Sequence, residues 1–119
     1  MKTAVVILNW NGEHYLQQFL PPLLRHTGGD TEIIVADNGS TDGSVKTLQE
    51  EFPQVRLLLL KKNYGFAGGY NLALEQIDAR YYVLLNSDVE VTQQWLEPLG
   101  SLLDNHPHIA ACAAALLDY

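Results

Sequence analysis

Four short apolar runs alternate along the chain with apolar stripes at helical spacing, and each run ends on polar residues. No other feature constrains the fold as strongly. The first run, Thr3 to Leu8, is rich in β-branched residues and stops at Asn9-Trp10-Asn11-Gly12, as a buried strand entering a turn does. Tyr15, Leu16, Phe19, Leu20, Leu23 and Leu24 then recur at helical intervals, with Pro21-Pro22 expected to kink or split the helix and Gly28-Gly29 to stop it. Glu32 to Ala36 reads as a second strand ended by Asp37. Ser40 or Thr41 is the expected cap of a helix carrying Val45, Leu48 and Phe52 inward. Val55 to Leu60 and Tyr81 to Asn86 read as the third and fourth strands. They flank a polar loop, Lys61 to Gly65, and a helix with Tyr70, Ala73, Leu74 and Ile77 on its inner face. Trp95, Leu96, Leu99, Leu102 and Leu103 mark a fourth helix, with Thr92 as its expected cap; residues 108–116 fit a fifth strand or a helix equally.

Strand–helix alternation with apolar strands predicts an α/β, Rossmann-like, doubly wound and mainly parallel sheet with helices on both faces. Such sheets bind ligands beyond the carboxyl ends of their strands, where the strand order switches. Four polar tips would then share one edge: Asn9-Trp10-Asn11, Asp37 to Ser40, Lys61 to Gly65, and Asn86-Ser87-Asp88.

The chain has 119 residues, enough for a single domain spanning 1–119, and 47% hydrophobic content supports a core. A net charge of −7 argues against nucleic-acid binding, because a phosphate backbone needs a basic footprint. A small phosphate ligand would instead need a helix N-terminus or a bridging cation. A single cysteine, Cys112, excludes an internal disulfide; it reads as a small buried residue, and a cytoplasmic setting is expected. No apolar run reaches membrane-spanning length, and strand residues follow Met1 too soon for a signal peptide.

Three uses of this architecture fail on residue type. The first strand is not followed by Gly-x-Gly-x-x-Gly, no glycine-rich loop ends in Lys-Ser/Thr, and Asn9, Asn11 and Lys61-Lys62 stand where a phospho-accepting domain needs carboxylates. Two carboxylates remain at the tips. Asp37 suits a donor-rich group such as a ribose diol or a base N–H. Asp88, beside the Asn86 amide and the Ser87 hydroxyl, offers hard oxygens to Mg²⁺ or Mn²⁺.

The words VVILNWNG (5–12), IIVADNGSTDGS (33–44), NYGFAGGYNLAL (63–74) and LLNSDVEV (84–91), followed by WLEPL (95–99), cover nearly the whole chain. In that order they resemble the amino-terminal, nucleotide-binding half of a family 2 glycosyltransferase of the GT-A fold, in particular the rhamnosyltransferase-like branch. The resemblance implies transfer of a sugar, with inversion, from a UDP- or dTDP-sugar to a sugar or lipid-linked acceptor hydroxyl, for an intact enzyme acting in the cytoplasm or at its membrane face. It implies that Leu8, Asn9, Trp10 and Asn11 wall the nucleobase and that Asp37 binds base or ribose. It further implies that the loop from Asn63 to Gly69, with Gly65, Gly68 and Gly69, admits the diphosphate-sugar closely. Asn86 and Ser87 lie in the place of an Asp-x-Asp motif, with Asp88 on the metal. The family's catalytic base belongs to a further half. Glu97, Asp104 and Asp118 are poorly placed to replace it, so this chain is expected to be truncated and inactive alone. The alternative is a non-catalytic nucleotide-binding or self-associating half-domain, with residues 108–117 as the contact between copies.

Overall fold

A computed structural model describes residues 2–117. Met1, Asp118 and Tyr119 lie outside them, and with Asp118 one of the three carboxylates weighed as a base. Four strands, β1 (Thr3–Asn9), β2 (Thr31–Asp37), β3 (Arg56–Leu59) and β4 (Tyr81–Leu84), alternate with four helices, α1 (Glu13–Arg25), α2 (Ser44–Glu51), α3 (Gly65–Glu75) and α4 (Glu97–Asn105). The strands form one parallel sheet in the order β3-β2-β1-β4. The chain therefore winds outward from β1 to β3, then crosses back through α3 to place β4 on the other side of β1. The switch point lies between β1 and β4, as the doubly wound reading requires.

Strand periodicity of two separates the core into two layers. Val5 and Ile7 of β1 and Ile33 and Val35 of β2 pack with Leu16, Leu20 and Leu23 of α1 and Leu48 of α2. The alternate residues Ala4, Val6, Ile34 and Ala36 face Tyr70, Ala73 and Ile77, brought by α3 and the turn after it. Small residues on this second face let α3 lie close: a Cβ at Gly69 would stand 2.8 Å from Leu8 Cδ1. Trp95 and Leu96 pack on the first layer, and the Trp95 indole N–H donates to Thr27 Oγ1 at 2.9 Å.

Several local expectations are corrected. Helix α1 runs unbroken through Pro21 and Pro22. The carbonyls those prolines leave without a helical donor belong to Gln17 and Gln18, which are exposed and so open to water. The segment from Gly65 to Gly69 is not loop but the opening of α3. Helix α2 is preceded by Gly43 rather than capped by Ser40 or Thr41, because Ser40 is engaged elsewhere. Helix α4 begins only at Glu97, after Trp95 and Leu96, so Thr92 is no cap; the helix buries no residue of its own. It is held by charge instead: Asp104 accepts from Lys2 Nζ at 2.7 Å and from the Tyr81 hydroxyl. Residues 108–117 adopt neither helix nor strand, and Cys112 is only partly buried, its thiol 4.0 Å from the Leu99 carbonyl oxygen.

The intact α1 leads to a stability prediction. Pro21→Ala restores an N–H for the Gln17 carbonyl at an exposed position, and should raise the unfolding free energy by about 1 kcal/mol. The urea midpoint checks this; a lowered midpoint would mean that the proline ring packs favourably.

Candidate functional site

The tips of β1 and β2 are fused by polar side chains. Asp37 is only 3% exposed. Its Oδ1 accepts from Asn9 Nδ2 at 3.0 Å and from the Ser40 hydroxyl at 2.7 Å, and its Oδ2 accepts from the Ser40 N–H at 3.0 Å. A buried carboxylate needs such donors, since desolvating an unpaired charge costs several kcal/mol. Asp37 thus has little surface left for a ligand and serves the loop that follows it.

Asn11 extends the lattice. Its backbone sits at φ 51°, a left-handed conformation that asparagine tolerates. Its Oδ1 accepts from the N–H groups of Thr41 at 2.7 Å and Asp42 at 3.2 Å, while its own N–H donates to Ser40 Oγ at 2.9 Å. The Glu13 N–H donates to Asp42 Oδ2 at 3.2 Å, and Thr47 Oγ1 donates to Glu13 Oε2 at 2.8 Å. Burial pushes the Asp42 carboxyl upward, but hydrogen bonds from Ser44 and from the Glu13 N–H outweigh it, and the net shift is downward.

Asn38 performs the same task toward β3 and α3. It is buried; its Oδ1 accepts from the Tyr64 N–H at 3.0 Å, and its Nδ2 donates to Asn63 Oδ1 and to the Gly65 carbonyl, both at 3.1 Å. Asn63 Oδ1 in turn accepts from the Gly65 N–H at 2.7 Å. Gly39, at φ +77°, leaves no room for a side chain: a Cβ would stand 2.8 Å from the Lys62 carbonyl carbon. The sequence marks Asn38, Gly39 and Ser40 only as part of a polar tip, with Ser40 as a helix cap, and not as the links between β1, β2 and α3. The four letters DNGS describe an ordinary Asx turn until their partners are known.

The sequence candidates therefore separate into two groups. Asn9, Asn11, Asp37, Asn63 and Gly69 hold the tips together. Trp10, 55% exposed, stands free on the same edge, with Leu8 partly covered behind it. Gly65, at φ +79°, has open space where a Cβ would be, and Gly68 meets only Tyr64 Cβ at 3.4 Å. Across the switch point, Asn86 and Asp88 are exposed and Ser87 is half-buried. Asp88 makes no hydrogen bond or ion pair among the described residues. Asn9 Oδ1 is buried without a partner among them and faces Gly12, whose Cβ would lie 2.6 Å from it and 3.8 Å from Ser87 Oγ.

No group of three or more His, Cys, Asp or Glu side chains converges among the described residues. Asp88 with the Asn86 and Ser87 oxygens is a set of hard ligands too small to enclose an ion. It suits Mg²⁺ or Mn²⁺, which keep several waters and share a ligand's phosphates. His106 and His108 are exposed, with their rings 6.0 Å apart.

The lattice makes two predictions. Asp37→Ala strands both Ser40 donors and leaves the Asn9 amide only its 3.2 Å bond to Ser40 Oγ, so it should lower the unfolding free energy by about 2–3 kcal/mol in urea titration without any ligand present. A neutral result would mean that Asp37 is not needed by the fold. Asp42, with its folded pKa depressed, contributes stability that is present above its unfolded value and is lost as pH falls through the folded value. The difference in urea midpoint between wild type and Asp42→Asn should therefore be constant near neutrality, begin to shrink only near the ordinary carboxylate value of about 4, and vanish once the pH is below the lower folded value.

The description "Glycosyl transferase family 2" matches residues 4–117. An N-acetylglucosaminyl-diphospho-decaprenol L-rhamnosyltransferase of Mycobacterium tuberculosis is 33% identical over 73 residues, 61% of this chain and 24% of that protein. The crystal structure of S. aureus TarS 1-349 in complex with UDP-GlcNAc superposes with a TM-score of 0.77 at 24% identity, over 90% of this chain and 32% of that one. The mannosyltransferase PcManGT of Pyrobaculum calidifontis, in complex with GDP-Man and Mn²⁺, gives 0.73 at 22% identity, over 86% of this chain and 32% of its own. These likenesses establish the fold as the GT-A type. The chain spans 43% of the length of one curated relative it matches and 13% of another. With the match covering nearly its whole length, the chain belongs to glycosyl transferase family 2.

Proposed function

We propose that this chain is the donor-binding part of a transferase that moves a sugar, with inversion, from a UDP- or dTDP-sugar to an acceptor hydroxyl. One observation carries the reading: beyond β4, at the switch point, stands an exposed carboxylate, Asp88, without a partner among the described residues, and β1 on the other side of that point ends in the hydrogen-bonded β1–β2 edge bearing the exposed Trp10. Trp10 and Leu8 would give the base an apolar wall. Asn9, Asn11 and Asp37 would act by holding that wall, since their polar atoms are mostly engaged within the protein. The open side of Gly65 would allow phosphate to approach the N-terminus of α3.

Asn86, Ser87 and Asp88 would hold a divalent cation, Mg²⁺ or Mn²⁺, jointly with the diphosphate. When bound, such an ion supplies charge neutralisation to the departing nucleoside diphosphate. The reason is physical: in a protein of net charge −7, only Lys61 and Lys62 at the β3 tip are on hand at this edge to offset a diphosphate, and a cation would add to them. Support also comes from the similar solved structures, one in complex with UDP-GlcNAc and another with GDP-Man and Mn²⁺. Among the described residues, neither Glu97 nor Asp104 offers a base at the strand tips: Glu97 opens α4, and Asp104 is taken by Lys2 and Tyr81. The isolated chain should therefore bind donor and not turn it over. We place the intact enzyme's reaction in the cytoplasm or at its membrane face.

A second reading has its own observation. Tyr82 and Leu84 of the edge strand β4 share the α3 face of the sheet with Ala4 and Val6 yet remain exposed, which suits association rather than catalysis.

Calorimetric titration with UDP and dTDP, first with Mn²⁺ and then with chelator, tests the proposal. Binding should require the metal, vanish in Asp88→Ala and retain the native fold in that variant. Absence of binding in a folded chain, together with a concentration-dependent sedimentation coefficient, would favour the association reading.

A further inference from the structure

The ladder between β1 and β4 is interrupted at one place, and a side chain fills the break. Paired residues run from Thr3↔Tyr81 to Val6↔Leu84, and the Leu85 N–H still donates to the Val6 carbonyl at 3.0 Å. In a regular parallel ladder the next bond would run from the Leu8 N–H to the Leu85 carbonyl. Instead the Tyr70 hydroxyl stands between them. It accepts from the Leu8 N–H at 3.4 Å and donates to the Leu85 carbonyl at 3.2 Å.

We infer that Tyr70 is a positioning residue for the donor site: its hydroxyl, inserted into the β1–β4 ladder, sets the gap between the base-side tip and the Asn86-Ser87-Asp88 tip. The functional part of this inference rests on the reading proposed above.

The surroundings support it. Tyr70 is 4% exposed, and its ring packs in the α3 layer with Ala4, Val6, Ile34 and Ala36. The Phe66 ring meets it edge-on at 5.1 Å, so the phenol is fixed by packing on rigid helix rather than held by its hydrogen bonds alone. Burial holds the phenol proton in place, which keeps the group a donor to Leu85 at neutral pH. Leu85 is followed directly by Asn86, so the anchored carbonyl lies one residue before the candidate metal loop. On the other strand Leu8 precedes Asn9, whose side chain enters the Asp37 lattice. One hydroxyl therefore ties both halves of the crevice at the point where the backbone bonds between them cease. Tyr82 provides the contrast: its hydroxyl also bridges backbone, from the Ala79 N–H to the Ile77 carbonyl, but away from the tips.

The test is amide hydrogen exchange by NMR on the wild-type chain, Tyr70→Phe and Tyr82→Phe, without ligand. Tyr70→Phe keeps the ring and should keep the fold. Exchange at the Leu8 amide should accelerate at least about tenfold, and the resonances of Asn86 to Asp88 should shift, while Tyr82→Phe leaves both in place. Unchanged Leu8 protection or unmoved Asn86-to-Asp88 signals would overturn the inference. Should Tyr70→Phe not fold, the wild type decides: a slowly exchanging Tyr70 hydroxyl proton with a cross-peak to the Leu8 amide supports the bridge, and absence of that cross-peak refutes it. In the nucleotide titration, Tyr70→Phe should weaken Mn²⁺-dependent UDP binding about tenfold. If the wild type binds no nucleotide, the donor-site reading fails; the ligand-free exchange data still decide whether Tyr70 sets the gap.

Discussion

The buried carboxylate of Asp37 is the constraint on which the ligand edge depends. A charge with 3% of its residue exposed must find donors inside the protein. It finds them on Asn9, at the end of β1, and on Ser40, in the turn beyond β2. Satisfying the charge therefore joins two strand ends. Ser40 then accepts from Asn11, which gathers Thr41 and Asp42, and the polar loop becomes a framework. Asn38, the next residue along, does the same toward Tyr64 and Gly65. The hydrogen bonds commit these side chains to one geometry before any ligand arrives, and preorganisation of this kind lowers the ordering cost of binding.

Glycine makes the framework close enough to work. Gly39 lies against the backbone of Lys62 and Asn63, and Gly69 against Leu8 and the Asn38 amide, at separations that a Cβ would violate. These two glycines serve packing between protein segments. Gly65 differs: it takes a left-handed conformation and faces open space at the start of α3. Among the glycines of the Asn63-to-Gly69 segment, then, only Gly65 combines a left-handed backbone with open space.

The two sides of the crevice are built unequally. The β1–β2 side is a dense lattice. The β4 side carries Asn86, Ser87 and Asp88 in the turn just beyond an edge strand of four residues, with Asp88 unengaged among the described residues. An unengaged carboxylate on an acidic protein is suited to a cation that arrives with its ligand. Tyr70 is the direct link from the rigid side to the free one, through a backbone carbonyl.

Much of the fold was legible in the sequence, because strand and helix periods differ and each is written in apolar residues. Val5, Ile7, Ile33 and Val35 declared one face, and Ala4, Val6, Ile34 and Ala36 the other. The four polar tips followed from the rule that parallel sheets gather ligands at their carboxyl ends. Local rules failed where solvent or a side-chain partner decided the outcome. Pro21 and Pro22 remain helical because the carbonyls they leave bare face water. Ser40 caps no helix because Asp37 and Asn11 claim it. Residues 65–69 coil into α3 because Asn38 and Asn63 hold its first turn. The sequence by itself determined the parallel architecture, the edge and the identity of the residues upon it. Only the tertiary structure decided which of them are spent on one another and which remain free for a ligand, because hydrogen-bond donors and acceptors are assigned by proximity in space, which residue type does not encode.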